Sequence, residues 1–353
     1  MSDFRQEQDN KNILRIREIL KEMPPFVGEF FRNRIDYTSS RTRLGYAYDL
    51  RLFFNFLVNE TRDFGDLTVH NFDLGHFNKV TNYHIEEFLE YLTYYAKDTG
   101  PDGGEVFVQN QLLGKARKLS SIRSLFAFFY KRGKVEANPS ELVETPPIRE
   151  RAKVYLEANE IADLLDEADS GDNLTKRQKD YHAFTRSRDV VMLMMFSGTG
   201  IRVSECVGLN IEDIDVDRGI FKVVRKGGNE EILNFNEEIE YALREYLDVR
   251  LNKKPLAGHE SALFLSMQNR RITARAVQNL VKKYSGLSNS LKKITPHRLR
   301  ASFGTNMYRE TGDIYLVADL LGHKDVNTTR KSYADTKQDA GRRAVRNLRL
   351  RGD

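Results

Sequence analysis

The stretch from Asn138-Pro139 to Val143-Glu144-Thr145-Pro146-Pro147-Ile148-Arg149-Glu150-Arg151 constrains the fold most, because it interrupts every periodicity around it. Its paired prolines bar helix, its charges are mixed, and no apolar repeat runs through it, so it reads as an extended linker. The chain of 353 residues is long enough to bury a core on either side. The boundaries expected are an N-terminal arm over 1–23, a helical domain over 24–140, a linker over 141–153 and a second domain over 154–353.

The two halves carry different patterns. After Pro24-Pro25 the apolar residues recur at helical spacing: Leu44, Ala47, Leu50, Phe54 and Leu57 behind the N-cap candidates Thr38-Ser39-Ser40. A second helix is predicted from Ile85, Phe88, Leu89 and Leu92, and a third from Leu112 to Gly133 through Leu119, Ile122, Phe126 and Phe129. Between these two lies the turn-rich loop Asp98-Thr99-Gly100-Pro101-Asp102-Gly103-Gly104. The first half is therefore expected to be all helical. The second opens with a short helix over 155–165 and a long apolar one from Arg188 to Ser197. Three strand candidates follow, Ile211 to Val216, Ile220 to Arg225 and Glu231 to Phe235, divided by the turn signatures Asp217-Arg218-Gly219 and Lys226-Gly227-Gly228-Asn229. From Thr273 onward the period is helical again. The class expected is α+β and mainly helical: an all-α first domain and a helical second domain with a small three-stranded antiparallel sheet.

Composition narrows the partners. The net charge of +5 leans toward a polyanion, and its distribution is more telling than its sum. Residues 111–134 hold seven Lys or Arg and no acid, and residues 341–351 hold five arginines and no acid. A single cysteine, Cys206, excludes an intramolecular disulfide framework and a Cys-x-x-Cys metal site. No apolar run approaches the roughly 20 residues of a membrane span, and the polar N-terminus lacks a signal-peptide core, so a cytoplasmic location without membrane contact is expected.

Several residues carry chemistry at meaningful spacings. In Gly198-Thr199-Gly200-Ile201-Arg202-Val203-Ser204-Glu205 a glycine turn would place Arg202 at the start of a helix, with Glu205 one turn on. A guanidinium pinned by a carboxylate is a rigid two-pronged phosphate clamp. Thr295-Pro296-His297-Arg298-Leu299-Arg300 sets His297 and Arg300 one turn apart behind a proline suited to the first helical position. Lys226 lies at a hairpin tip, His323 just past a helix-ending glycine, and Tyr333 ten residues beyond it. Taken singly, each is more simply a salt bridge, a surface helix, a turn residue or a core ring.

In order along the chain, Arg202, Lys226, His297-x-x-Arg300, Leu321-Gly322-His323 and Tyr333 resemble the tyrosine recombinase/integrase family, and its bacterial Xer branch in particular. The similarity extends to Tyr46-Ala47-Tyr48-Asp49-Leu50 and to Arg117-Lys118-Leu119-Ser120-Ser121-Ile122-Arg123, which look like the family's helical core-binding domain. The N-terminal segment up to Pro24-Pro25 is most similar to the single-recombinase Xer proteins of Gram-positive bacteria.

The resemblance implies a DNA clamp of two domains, core-binding (SAM-like) and catalytic, that cuts and rejoins DNA through a 3′-phosphotyrosyl intermediate. Tyr333 would be the nucleophile, Arg202, Arg300 and His323 the charge stabilisers, His297 the proton acceptor and Lys226 the proton donor, with Glu205 in support. Lys115, Arg117, Lys118, Ser121 and Arg123 would contact DNA. It further implies no metal or other cofactor, double-stranded DNA with an inverted-repeat site as partner, and a homotetramer joined by exchange of C-terminal helices. Resolution of chromosome or plasmid dimers with a septal DNA translocase would be the cellular role. The interval from His323 to Tyr333 is one residue longer than the common Xer pattern and also occurs in integrases of phages and conjugative elements, so that role stays open beside it. A type IB topoisomerase and a non-catalytic DNA-binding regulator are the remaining alternatives.

Overall fold

The structure, a computed structural model, describes residues 3–98, 105–147, 154–225, 228–288, 292–322 and 326. The chain divides into two compact units, residues 1–151 and 152–353.

In the first unit the helices are α1 (Asp3–Leu20), α2 (Val27–Asn33), α3 (Ser40–Glu60), α4 (Leu74–Asn78), α5 (Asn82–Tyr91) and α6 (Leu112–Tyr130). Helix α3 starts where the sequence places a cap: the Ser39 hydroxyl accepts from the Thr42 amide at 3.2 Å. The core is largely phenyl rings. Phe54, Phe72, Phe77, Phe88, Phe126 and Phe129 are essentially inaccessible, and Phe77 stacks on Phe126 with centroids 4.1 Å apart. Helix α1 packs along α3, burying Ile16 and Ile19 in this same core, and Asn12 donates to the Ser40 hydroxyl at 2.9 Å.

One expectation is corrected here. The first half is not all helical: β1 (Tyr95–Asp98) and β2 (Glu105–Val108) pair antiparallel, Tyr95 opposite Val108. The glycine-rich loop between them was legible, but its flanks are only four residues each. At that length strand alternation cannot be told from loop, and pairing across the turn supplies the order that local pattern lacks.

The second unit contains α7 (Ala158–Ser170), α8 (Lys176–Gly198), α9 (Val203–Cys206), β3 (Ile214–Asp215), β4 (Ile220–Val224), β5 (Glu230–Asn234), α10 (Glu237–Leu251), α11 (Ala274–Ser285), α12 (Pro296–Thr311) and α13 (Ile314–Leu320). The sheet is the expected three-stranded antiparallel meander, order β3-β4-β5, with Phe221 opposite Leu233. Its first strand is shorter than expected. Residues Ile211–Asp213 form a 3-10 turn, because the Asp213 carboxylate accepts from the Asn210 amide at 2.9 Å and closes the chain before it can extend. Among the described residues no helix is long and apolar enough to cross a membrane.

Buried arginines hold this unit's loops. Arg271 donates to the carbonyls of Val207 and Leu209 at 3.1 and 2.7 Å, and Arg250 to those of Ala262 and Glu260 at 2.9 and 2.8 Å. Arg188 donates to Leu265 at 2.7 Å and pairs with the buried Asp189. Loop carbonyls without a helical or sheet partner need a donor when buried, and a guanidinium brings five.

Candidate active site

Helix α8 ends at Gly198, and two residues later Gly200 turns the chain with φ of +63°. A side chain there would be strained by that backbone, and its Cβ would also lie 2.5 Å from Phe303. The turn delivers Arg202 to the start of α9, as the sequence predicts. Glu205 then fixes it twice, accepting from the Arg202 amide at 2.9 Å through one oxygen and from Nη1 at 2.8 Å through the other. The Glu205 carboxylate is nearly inaccessible, while about a third of the Arg202 side chain remains exposed.

Helix α12 begins at Thr295, whose hydroxyl caps the Arg298 amide at 3.3 Å, with Pro296 in the first turn. One turn apart on it, His297 stays accessible and Arg300 is buried. Arg300 donates through Nη1 to the Gly200 carbonyl and through Nη2 to the Leu321 carbonyl. The Nη2 of Arg202 reaches the carbonyls of Leu321 and Gly322, both at 3.3 Å. The two arginines chosen from sequence thus converge on one turn, at the end of α13.

A third arginine completes the cluster, and sequence reasoning did not single it out. Arg225, at the end of β4, is buried and donates to Glu205 at 3.0 Å and to both oxygens of Glu231 at 2.9 and 2.7 Å. The available signal was Glu231 on the facing hairpin strand. The second partner, Glu205, lies twenty residues away in sequence and gave no local hint.

Three guanidiniums and two carboxylates leave one positive charge in surplus. That surplus reaches the ionisable neighbours. Desolvation first, then Arg300 and Arg202, holds the His297 pKa below its ordinary value of 6.5, so the imidazole is neutral and able to accept a proton at pH 7. Glu231 is held below the usual carboxylate range mainly by its hydrogen bonds from Arg225, with Arg202 and Arg300 adding to the effect. Cys206, on α9 beside Glu205, is fully buried and its thiol pKa is pushed up by that burial, which suits a packing role.

Lys226, His323 and Tyr333 lie outside the described residues. By chain order, Lys226 follows Arg225 and His323 follows Gly322, so each adjoins a residue of the cluster. The arginine-rich residues 341–351 also lie outside.

The candidate DNA contacts of α6 divide in two. Arg117 is more than half exposed and pairs with the buried Asp49, and Lys115 donates to the Thr93 hydroxyl at 2.7 Å. Ser121 is fully buried with its hydroxyl on Asp49 at 2.8 Å. Lys118 is buried and donates to Asn110 at 2.7 Å, while Arg123 ties down the Ser140 carbonyl at 3.1 Å and the Thr145 hydroxyl at 2.7 Å. Basic composition marked the helix, and packing decides which of its polar side chains face outward.

Residues 155–339, spanning the whole cluster, match the model of the phage integrase family. The chain belongs to that family of tyrosine recombinases. It is 34% identical over 267 residues to the tyrosine recombinase XerC of Thermodesulfovibrio yellowstonii, covering 73% of this chain and 85% of that one. With the XerC of Caldanaerobacter subterraneus subsp. tengcongensis it shares 32% identity over 328 residues, 90% and 84% of the two chains. Among solved structures, XerH recombinase bound to palindromic difH substrate is similar with a TM-score of 0.64 at 20% identity, covering 87% of this chain and 80% of that one. A lambda integrase dimer on a COC′ core site gives 0.58 at 15% identity, with 87% and 94% covered. These two likenesses concern the fold. Membership makes this recombinase an enzyme of DNA cleavage and rejoining.

Proposed function

We propose that the chain is a site-specific recombinase of the Xer type, with Tyr333 as nucleophile and Arg202, Lys226, His297, Arg300 and His323 as its catalytic partners. The observation that supports this most is the convergence of Arg202 and Arg300 on the turn before His323, with a surplus positive charge and a neutral histidine beside them. The phenolic oxygen of Tyr333 attacks phosphorus, its proton passes to His297, and the phosphorus to 5′-oxygen bond breaks as Lys226 protonates the departing oxygen. Charge building on the non-bridging oxygens meets donors already oriented, so little reorganisation accompanies reaction. The bond energy is kept in the 3′-phosphotyrosyl link, and attack by the 5′ hydroxyl of another strand reverses the step and completes recombination.

The partner is double-stranded DNA carrying an inverted repeat, with Lys115 and Arg117 of α6 on its phosphates. The tail after Tyr333 supplies the exchange that assembles a homotetramer, and a septal DNA translocase is the accessory expected of dimer resolution. The ten-residue interval from His323 to Tyr333 supports a second reading, the integrase of a mobile element with the same chemistry.

A supercoiled plasmid carrying two copies of the inverted repeat that this chain selects from a randomised DNA pool tests the reading. The expected products are deletion or inversion between the repeats, with a plasmid lacking them untouched. Relaxation of any plasmid regardless of sequence would instead mark a type IB topoisomerase, and binding without strand breakage would mark a regulator.

A further inference from the structure

Arg225 is as buried as Arg300, but its donors go to two carboxylates as well as a carbonyl, so its charge is spent on protein groups. It donates Nη1 to the Glu205 oxygen that also receives the Arg202 amide, Nε and Nη2 to Glu231, and Nη2 to the Leu320 carbonyl at 3.4 Å. Without it, Glu205 would be one half of a helical i to i+3 pair on a four-residue helix, with freedom to change rotamer. With it, the oxygen that receives the Arg202 amide is held by a second donor from another element, and the carboxylate that carries Arg202 Nη1 has one orientation.

The far side of the contact is equally tight. Gly322 has φ of +57°, and a Cβ on it would stand 2.7 Å from Arg225 Nε and 2.9 Å from Cζ. The glycine of Leu321-Gly322-His323 is therefore needed for two reasons, the left-handed turn and the close approach of this guanidinium. Its neighbour Leu321 offers the carbonyl on which Arg202 and Arg300 converge.

We infer that Arg225 is a positioning residue for DNA cleavage: it locks Glu205 behind Arg202 and seats the Leu320–Gly322 turn that orders the arginine cluster. The inference rests on the tyrosine-recombinase chemistry proposed above and adds a residue to it. Charge alone would be replaceable by lysine. A planar fork bridging two carboxylates and a carbonyl is not.

The test uses the full chain and a nicked duplex bearing its selected inverted repeat, reading DNA affinity and the single-turnover rate of covalent adduct separately. Arg225→Met and Arg225→Lys should both slow adduct formation by about 10- to 100-fold, as for other groups that orient a reacting one, with affinity within about 3-fold of wild type because Arg225 is buried. Gly322→Ala should slow wild type strongly and cost less in an Arg225→Ala background, where the clash is gone and only the left-handed turn is strained. A wild-type rate for Arg225→Lys, or equal cost of Gly322→Ala in both backgrounds, overturns the inference. Should the Arg225 variants fail to fold, Glu231→Gln removes one anchor from a partly exposed site; a drop of roughly 3- to 10-fold in rate at unchanged affinity is expected, and no drop overturns the proposal. Absence of adduct from wild type would sink the tyrosine chemistry itself, and this inference with it.

Discussion

The two units solve the problem of a stable interior with different side chains. Fifteen of the 21 phenylalanines lie before residue 152, and most of their rings fill the first unit's core. The second unit buries Arg188, Arg225, Arg250, Arg271 and Arg300 beside its aliphatic residues. Rings suit helices packed on helices, whose backbones are already satisfied internally. Guanidiniums suit a unit that must hold irregular segments such as 199–202 and 320–322, whose carbonyls have no ladder. The same ion pair serves both ends: Arg117 with Asp49 joins α6 to α3, whereas Arg202 with Glu205 orients a cation that keeps part of its surface free. Stability is concentrated in one pattern and chemistry in the other.

That contrast can be broken by substitution. Phe77→Ala removes a fully buried ring stacked on Phe126 and should cost about 3–5 kcal/mol in urea unfolding, while the folded fraction cleaves DNA at the wild-type rate. Arg300→Ala should do the reverse in the assay that matters, lowering single-turnover cleavage by about 10²- to 10³-fold because Gly200 and Leu321 lose their shared donor. A Phe77 variant that abolished chemistry while folded would erase the distinction.

Smaller changes sharpen it. Gly200→Ala places a methyl against Phe303 in a left-handed backbone, an expected loss of about 1–3 kcal/mol that also slows cleavage, since the Gly200 carbonyl anchors Arg300. Asp49→Asn leaves Arg117 free to turn to water but strips Ser121 of its anionic acceptor; about 1–2 kcal/mol of stability should go, with no effect on cleavage by bound enzyme.

The smallest effect is a displacement in pH. In the proposed reaction His297 must be neutral to take the tyrosine proton, and its folded pKa lies below the ordinary 6.5. Cleavage should therefore persist as pH falls past 6.5 and decline only at the lower folded value, and His297→Asn should flatten that limb. An acid limb centred above 6.5 would contradict the desolvation of His297 and the field of Arg300 and Arg202.

Much of this was legible in sequence because the informative signals were local. Gly200 before Arg202-x-x-Glu205, and Pro296 before His297-x-x-Arg300, each specify a turn and a helix start within a few residues, and the structure forms both. The β1–β2 hairpin was missed because its strands are too short to show alternation. Arg225 was missed for a different reason. Adjacent to a hairpin lysine it reads as one more solvated cation, and its partners other than Glu231 come from α9 and the end of α13, brought together only by folding. The same long-range packing separates exposed Arg117 from buried Ser121 on one basic helix.

Peptide mapping of the covalent DNA adduct tests the central claim most directly. After nuclease and protease digestion of wild type reacted with its nicked site, the account predicts a residual nucleotide joined through its 3′ phosphate to the peptide containing Tyr333, and no adduct from Tyr333→Phe. Attachment to another residue, a 5′ linkage, or an undiminished adduct from Tyr333→Phe would contradict it.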